Sequence, residues 1–343
     1  MKNEPQKGNK IKKAALFGKK IFTKNLEEFE GICANLKNKK IIVYPTALIL
    51  ATYILLLITK VIDVTLLNRE NIYFSVVILQ MMIFILPGAL WCMFSGEKYI
   101  SNLRFRMIRI DNIVIIIAAA LLIASGNLLI SLLFDGLSGA SDNFSLYDTF
   151  VSSDDGTIPN KIYLVMAYAV LPAIGEEFIF RGIVCHEYER GGVLRAVAVS
   201  SVFFALLHFD LQNFPVYLFS GIILAMTLYS TRSLFGSIIA HFLYNIFGLF
   251  GQPYLSNLYR ITNSPRLFVI IIATLFILSA AVFCGEAARL YKKYLYKAYS
   301  ADYRKPVLKD AASIRASYID VVRHPSAIAC FVIYIIAVIV SWF

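Results

Sequence analysis

Nine apolar segments recur along the 343 residues of this chain, and each is close to 20 residues long. A bilayer core of about 30 Å requires about 20 helical residues at a rise of 1.5 Å per residue. Within hydrocarbon a helix satisfies its own backbone hydrogen bonds, which an open strand does not. The segments therefore predict membrane-spanning helices. They are Ile41–Ile58, Ile72–Phe94, Ile113–Phe134, Ile162–Cys185, Val193–Phe209, Phe214–Thr231, Leu234–Phe250, Leu267–Cys284 and Ala327–Phe343.

Composition also indicates a membrane protein. Hydrophobic residues make up 59% of the chain and charged residues only 16%, and the mean hydropathy is +0.69. Such values are typical of a chain that crosses the bilayer several times. We therefore expect an all-α fold, a polytopic membrane helix bundle of about eight to nine transmembrane helices.

Basic residues orient the predicted spans. Lys and Arg concentrate in the cytosolic loops of membrane proteins, and a cytosolic N-terminus places most of the 33 basic residues on that side. The predicted outer loop from Asp135 to Asn160 contains no Lys or Arg. We attribute the net charge of +11 to topology and to attraction by anionic lipid, and expect no nucleic-acid partner. A composition rich in Lys, Ile and Asn is compatible with a bacterial plasma membrane.

The same pattern divides the chain into four regions. Residues 1–40 are predicted to be a basic cytosolic segment with an amphipathic helix, which lies on the membrane or packs on the protein's own cytosolic loops. Residues 41–284 form the transmembrane bundle, and its core at about 162–250 contains the polar residues discussed next. Residues 285–326 form a basic cytosolic linker, and residues 327–343 form a C-terminal transmembrane helix.

Charged residues interrupt the fourth apolar segment. A charged side chain at the centre of a spanning helix costs roughly 2.5 to 3.5 kcal/mol. At spacing i, i+4, Arg181 can pair with Glu177, whereas Glu176 projects about 100° away. Glu176 is then desolvated beside a like charge, a setting that suits a general base. Pro172 and Gly175, just before the pair, can open the backbone and admit water. The alternative is a charged helix end that extends into the cytosol.

Two histidines and an asparagine lie within other apolar segments. His208 is near the end of the fifth segment, and His241 and Asn245 stand at i, i+4 in the seventh. At 1.5 Å per residue, these residues and Glu176 share one layer near the middle of the membrane. Carboxylates, imidazoles and an amide are groups that catalyse hydrolysis, and His241 with Asn245 can donate hydrogen bonds to an oxyanion. Each residue alone is equally compatible with a hydrogen bond between helices.

Three motifs occur in the order Glu-Glu-x-x-x-Arg, Phe-x-x-x-His and His-x-x-x-Asn, each on a separate segment. In this order they resemble the CPBP family of intramembrane proteases, also called the CAAX protease and bacteriocin-processing or Abi family, which is related to type II CAAX prenyl endopeptidases. The resemblance covers about Ile162–Phe250. It implies an endopeptidase that hydrolyses a peptide bond of a membrane-associated substrate with activated water.

The resemblance also implies a role for each matched residue. Glu176 would be the general base that activates water, and His208 would help to position that water. His241 and Asn245 would form the oxyanion hole. Supporting or substrate-orienting roles would fall to Glu177 and Arg181.

The sequence is compatible either with a zinc site or with a site that requires no metal. Members of this family are often described as metalloproteases, and Glu176, His208 and His241 could bind Zn²⁺ with an open position for water. The sequence has no His-Glu-x-x-His motif, however, and its five cysteines lie far apart with no CxxC pair. The preferred prediction is a site that requires no cofactor, with zinc as the alternative.

Functions of two other classes are compatible with these residues. An ion- or proton-coupled transporter uses intramembrane carboxylates and histidines as a relay, but it predicts internal inverted repeats, and the sequence has none. A non-catalytic bacteriocin-immunity or membrane scaffold protein could keep the pocket without turnover. The expected partners are membrane lipid and a membrane-associated peptide or protein substrate, while the substrate's identity and the oligomeric state stay open.

Overall fold

A computed structural model describes residues 44–61, 72–96, 98–142, 158–296 and 311–341. These residues form helices joined by turns, with no strand among them, so the predicted all-α fold is confirmed. The amphipathic helix predicted within residues 1–40 lies outside the described residues, as does most of the predicted outer loop.

The helices are numbered in chain order. The first half contains α1 (Pro45–Val61), α2 (Ile72–Gln80), α3 (Leu86–Ser95), α4 (Ile113–Asp142), α5 (Ile158–Val165), α6 (Leu171–Glu177) and α7 (Cys185–Tyr188). The second half contains α8 (Val193–Leu207), α9 (Phe214–Thr231), α10 (Leu234–Phe250), α11 (Gln252–Thr262), α12 (Pro265–Tyr296), α13 (Ala311–Arg323) and α14 (Pro325–Ser341). Of these, α11 and α13 fall outside the predicted apolar segments.

Length and apolar composition identify the helices that can cross a membrane. Within the described residues, five qualify by themselves, and two further pairs, bent by 65° and 66°, qualify as broken spans. The two shorter apolar helices, α1 and α8, have 17 and 15 residues, which is about 22 to 26 Å of helix and short for a bilayer core. By this measure five to seven spans are present, compared with the eight to nine expected. The cytosolic N-terminus stays a prediction. The five helices that qualify by themselves are Phe74–Ser95, Ile110–Phe134, Lys161–Tyr188, Phe214–Thr231 and Pro265–Lys293.

The helical run that carries the paired glutamates changes its winding twice. Two π-helical turns, Met166–Val170 and Phe178–Val184, flank the short α6. Turns of this kind are frequently found at functional sites, where the wider winding displaces the side chains around them. Pro172 lies in the first turn of α6, where its missing N–H and fixed φ are tolerated. The result is an uninterrupted helix with an irregular register around Glu176 and Glu177.

Gly175 permits a close contact between helices rather than an opening of the backbone. A Cβ atom at Gly175 would lie 2.7 Å from the Cβ of Phe84, a residue of the π-helical turn that joins α2 and α3. Gly175 lies within the helical α6 and does not itself open the backbone. The expectation that water is admitted next to Pro172 and Gly175 stays a prediction. The glycine lets α6 approach the Phe84 side chain.

Helix α9 occupies the centre of the bundle. Ala225 and Leu228 belong to a core cluster built with α1, α8 and α14, whereas Ile223 and Leu224 belong to a second cluster built with α4 and α12. At Gly221, an added Cβ would lie 3.0 Å from Ser201 of α8, so the two helices are in close contact. This packing fixes the ends of α8 and α9 beside α10, where the predicted site residues lie.

The predicted basic linker is partly helical. Helix α12 continues beyond the predicted span to Tyr296, and α13 lies within the predicted linker. The C-terminal extension of α12 contacts the turn just before α4, because Lys293 pairs with the Asp111 carboxylate and Arg289 donates to the Asp111 carbonyl. Helix α14 packs against α1.

Candidate active site

A polar cavity of about 250 Å³ lies among α4, α6, α9, α10 and the end of α8. Glu176 reaches it from α6 and His208 from the C-terminus of α8, while His241 and Asn245 reach it from α10. Four side chains that the sequence placed on three separate helices therefore line one cavity. Glu177 and Arg181 are buried beside it and do not line it.

Glu176 faces the cavity without a close partner. Its carboxylate makes no hydrogen bond within the described part of the chain, and its nearest basic group is Nε2 of His241, 4.0 Å from Oε2. The side chain is 11% exposed. A carboxylate in this position is open to a small molecule in the cavity and is not committed to an ion pair.

Glu177 is the most enclosed of the charged groups. Its Oε1 accepts a hydrogen bond from Nη1 of Arg181 at 2.8 Å, so the predicted i, i+4 ion pair is confirmed. The same oxygen accepts a second hydrogen bond from Nδ1 of His241 at 3.0 Å. The sequence did not predict this second contact, since His241 lies 64 residues along the chain. Glu177 therefore connects the guanidinium on its own helix to the imidazole on α10.

Arg181 has neighbours on three sides. Besides Glu177, its Nη2 donates to the backbone carbonyl of Gly221 on α9 at 3.0 Å. Its guanidinium carbon lies 4.3 Å from the centroid of the Phe204 ring, within the range of a cation–π interaction. Phe204, the first residue of the Phe-x-x-x-His motif, thus stabilises the buried cation.

His208 is held at the end of α8 by two contacts. Its Nδ1 donates to the Phe204 carbonyl at 2.9 Å, which leaves the Nε2 lone pair as an acceptor when the ring is neutral. The ring stacks on Tyr217 with centroids 3.7 Å apart and an interplanar angle of 14°. Tyr217 also lines the cavity. Sequence reasoning missed Tyr217, and only its place one turn into α9, nine residues after His208, could have suggested it.

Asn245 lies one turn beyond His241 on α10. Its amide makes no hydrogen bond to any residue that the structure describes, and it lines the cavity. Beside it, Tyr244 belongs to a polar cluster with Asn127 and Ser220 that lines the same cavity. The sequence did not single out these three residues.

The side chains proposed for zinc do not form a metal site. Among the described residues, no group of three His, Cys, Asp or Glu is arranged to hold a metal ion. The zinc set Glu176, His208 and His241 is therefore not assembled in this arrangement, and we derive no step through a metal.

The cavity combines groups that transfer protons with groups that stabilise negative charge. Glu176 can accept a proton. The rings of His208 and His241 are each held by a hydrogen bond at Nδ1, which leaves Nε2 for a reactant. The Asn245 amide has two N–H donors that no described residue uses. This is the set needed to activate a water molecule and to stabilise an oxyanion.

The comparisons with known proteins address the family. Comparison with curated proteins and with solved structures gave no significant match. Residues 158–247, which include α6 and extend through most of α10, match the model of the family described as type II CAAX prenyl endopeptidase Rce1-like. The match agrees with the resemblance found in the three motifs. Residues 158–247 therefore resemble the Rce1-like type II CAAX prenyl endopeptidase family, a family of proteases, and they lie among helices long and apolar enough to cross a membrane.

Proposed function

We propose that this protein is an intramembrane endopeptidase that hydrolyses a peptide bond of a membrane-associated substrate with a water molecule activated by Glu176. The observation that carries the proposal is the shared cavity lined by Glu176, His208, His241 and Asn245. All four residues lie within residues 158–247, the segment that matches a protease family. The catalytic role of each residue is part of this proposal.

In the first step, Glu176 takes a proton from water, and the resulting hydroxide attacks the substrate's carbonyl carbon. His208 accepts a hydrogen bond from the same water through Nε2 and so orients it. The tetrahedral intermediate carries the negative charge on the former carbonyl oxygen. The Asn245 amide and His241 donate hydrogen bonds to that oxygen, while Glu177 holds the His241 ring through Nδ1.

In the second step, the carbon–nitrogen bond breaks and the electrons of the oxyanion reform the carbonyl. Glu176 returns its proton to the departing amine nitrogen, which leaves a carboxylic acid and a free amine as products. Each proton taken up is released again, so the cycle needs no cofactor.

A second cavity supports an apolar group next to the scissile bond. It has a volume of about 340 Å³, is lined by Leu, Ile, Ala and Phe side chains with a single Ser, and shares Leu128 with the catalytic cavity. Apolar cavities of this kind accept alkyl or aromatic groups. CAAX substrates carry a prenyl group on the cysteine near their C-terminus. We therefore propose a peptide with a lipid group or a large apolar side chain close to the bond that is cut.

Replacement of Glu176 by Gln in cells tests the proposal. We expect one or more membrane peptides to accumulate uncleaved in the Glu176→Gln strain when the membrane peptidomes of both strains are compared. Glu286→Gln is the matched control, because Glu286 pairs with Arg289 on α12, away from the cavity. Identical peptidomes with folded protein would contradict protease activity. Full biological function of Glu176→Gln would instead favour a non-catalytic scaffold or immunity protein.

A further inference from the structure

Asn127 is a polar residue in the middle of α4, inside the span Ile110–Phe134. It lies before the family match at residues 158–247, and it is only 4% exposed. Nevertheless it lines the catalytic cavity, on the side formed by α4. An amide at this position either ties helices together or serves the cavity.

Hydrogen bonds to two other helices fix the orientation of the Asn127 amide. Its Nδ2 donates to Oγ of Ser220 on α9 at 2.8 Å and to the hydroxyl of Tyr244 on α10 at 2.9 Å. Ser220 gives its own hydrogen to the Val216 carbonyl at 2.9 Å, so its oxygen is free to accept. Both hydrogens of Nδ2 are therefore used. If the amide were reversed, its oxygen would face the Ser220 oxygen, whose hydrogen is already donated to Val216.

The oxygen of the Asn127 amide, Oδ1, has no such partner in the described part of the chain. Oδ1 of Asn127 is buried and has no hydrogen-bond partner among the residues that the structure describes. A buried acceptor without a partner is costly. The role of joining helices accounts for Nδ2 but not for Oδ1. Asn127 lines the cavity, so a donor that enters the cavity and displaces the side chains covering Oδ1 would satisfy this atom.

We propose that Oδ1 of Asn127 accepts a hydrogen bond from a backbone N–H of the substrate peptide, which makes Asn127 a substrate-binding residue. The inference rests on the proposed peptidase function, since a peptide in the cavity presents N–H donors on either side of the bond to be cut. The catalytic residues provide the complementary groups for the carbonyl: the Asn245 amide and His241 face the same cavity from α10. Asn127 thus holds the peptide from the side of α4 while α10 binds its carbonyl oxygen.

The test measures peptide binding to full-length protein in detergent. The Glu176→Gln background prevents turnover, and the probe is an S-farnesylated peptide with a C-terminal CAAX sequence, together with versions N-methylated at one amide each. We expect Asn127→Leu to weaken binding of the parent peptide about fivefold to twentyfold, the usual effect of one lost buried hydrogen bond. One of the N-methylated peptides should bind to the parent protein about as weakly as the unmethylated peptide binds to Asn127→Leu. In Asn127→Leu, the same N-methyl group should cause no further loss of affinity.

Two further variants separate binding from helix packing. Asn127→Asp keeps an acceptor oxygen, and Ser220→Ala removes a partner of Nδ2 but leaves Oδ1 in place, so both should retain the discrimination against the N-methyl peptide. Thermal unfolding of each variant reports packing independently. If every variant loses stability and the N-methyl scan is unchanged in Asn127→Leu, Asn127 only joins helices and the inference is wrong. If the wild-type protein neither binds nor cleaves any probe peptide, the proposed function fails and the inference fails with it.

Discussion

Nδ1 of His241 lies 3.0 Å from Oε1 of Glu177, and this contact joins the two halves of the candidate site. The same carboxylate oxygen is bound by Arg181 on the other side. Glu177 therefore has a different role from Glu176. It fixes which nitrogen of His241 is turned toward Glu176 and the cavity.

The two glutamates should respond differently to substitution. Glu176→Gln removes a proton acceptor that has no ion pair to lose, so we expect kcat to fall by at least about 100-fold with little change in the melting temperature. Peptide cleavage and thermal unfolding in detergent measure both quantities. A variant that kept wild-type turnover would remove Glu176 from the role of general base.

Glu177→Leu should act mainly on stability. Arg181 is 1% exposed, and removal of its carboxylate partner leaves a buried charge uncompensated, which typically costs about 3 to 5 kcal/mol. The double variant Glu177→Leu/Arg181→Leu should be more stable than Glu177→Leu, because it removes both charges. A double-mutant cycle by thermal unfolding measures the coupling. Additive losses would show that the pair does not stabilise the fold.

The stack between His208 and Tyr217 gives a prediction about positioning. Tyr217→Phe keeps the ring that packs at 3.7 Å, whereas Tyr217→Leu removes it. We expect the Leu variant to lose about threefold to tenfold in kcat, the equivalent of one aromatic contact, with KM changed less. The Phe variant should stay close to wild type. An equal loss in both would mean that the hydroxyl, and not the ring, is what matters.

Gly175→Ala should disturb the paired glutamates that directly follow it in α6. The new Cβ would lie 2.7 Å from the Cβ of Phe84, and overpacking of this kind typically costs about 1 to 3 kcal/mol. Since α6 must move away, we expect lower activity together with a lower melting temperature. Gly285→Ala on α12 is the matched control, because nothing lies within 4 Å of its added Cβ. Equal effects in both variants would contradict the contact.

Chelation tests the prediction that no cofactor is needed. We expect purified protein to keep its peptidase activity after treatment with a zinc chelator, with no stoichiometric metal found by elemental analysis. Zinc bound one to one, whose removal abolishes cleavage and whose return restores it, would overturn the water-activation scheme based on Glu176 alone.

The sequence by itself determined the features that depend on local spacing. Long apolar runs require helices in a bilayer, so the all-α fold followed directly. Glu177 and Arg181 pair because one helical turn separates them. The layer shared by Glu176, His208 and His241 could also be estimated, because depth along a helix is counted in residues.

Only the tertiary structure decided which helix faces meet. Rotation of a spanning helix about its axis leaves its depth unchanged but moves every side chain to a new neighbour. The contact of His241 with Glu177, the stack of Tyr217 on His208 and the cluster of Asn127 with Ser220 and Tyr244 all depend on that rotation. It is set by packing between helices distant in sequence, such as the close approach of α8 and α9 at Gly221. Local spacing therefore fixes the chemical groups and their depth, and packing between helices fixes which of them act together.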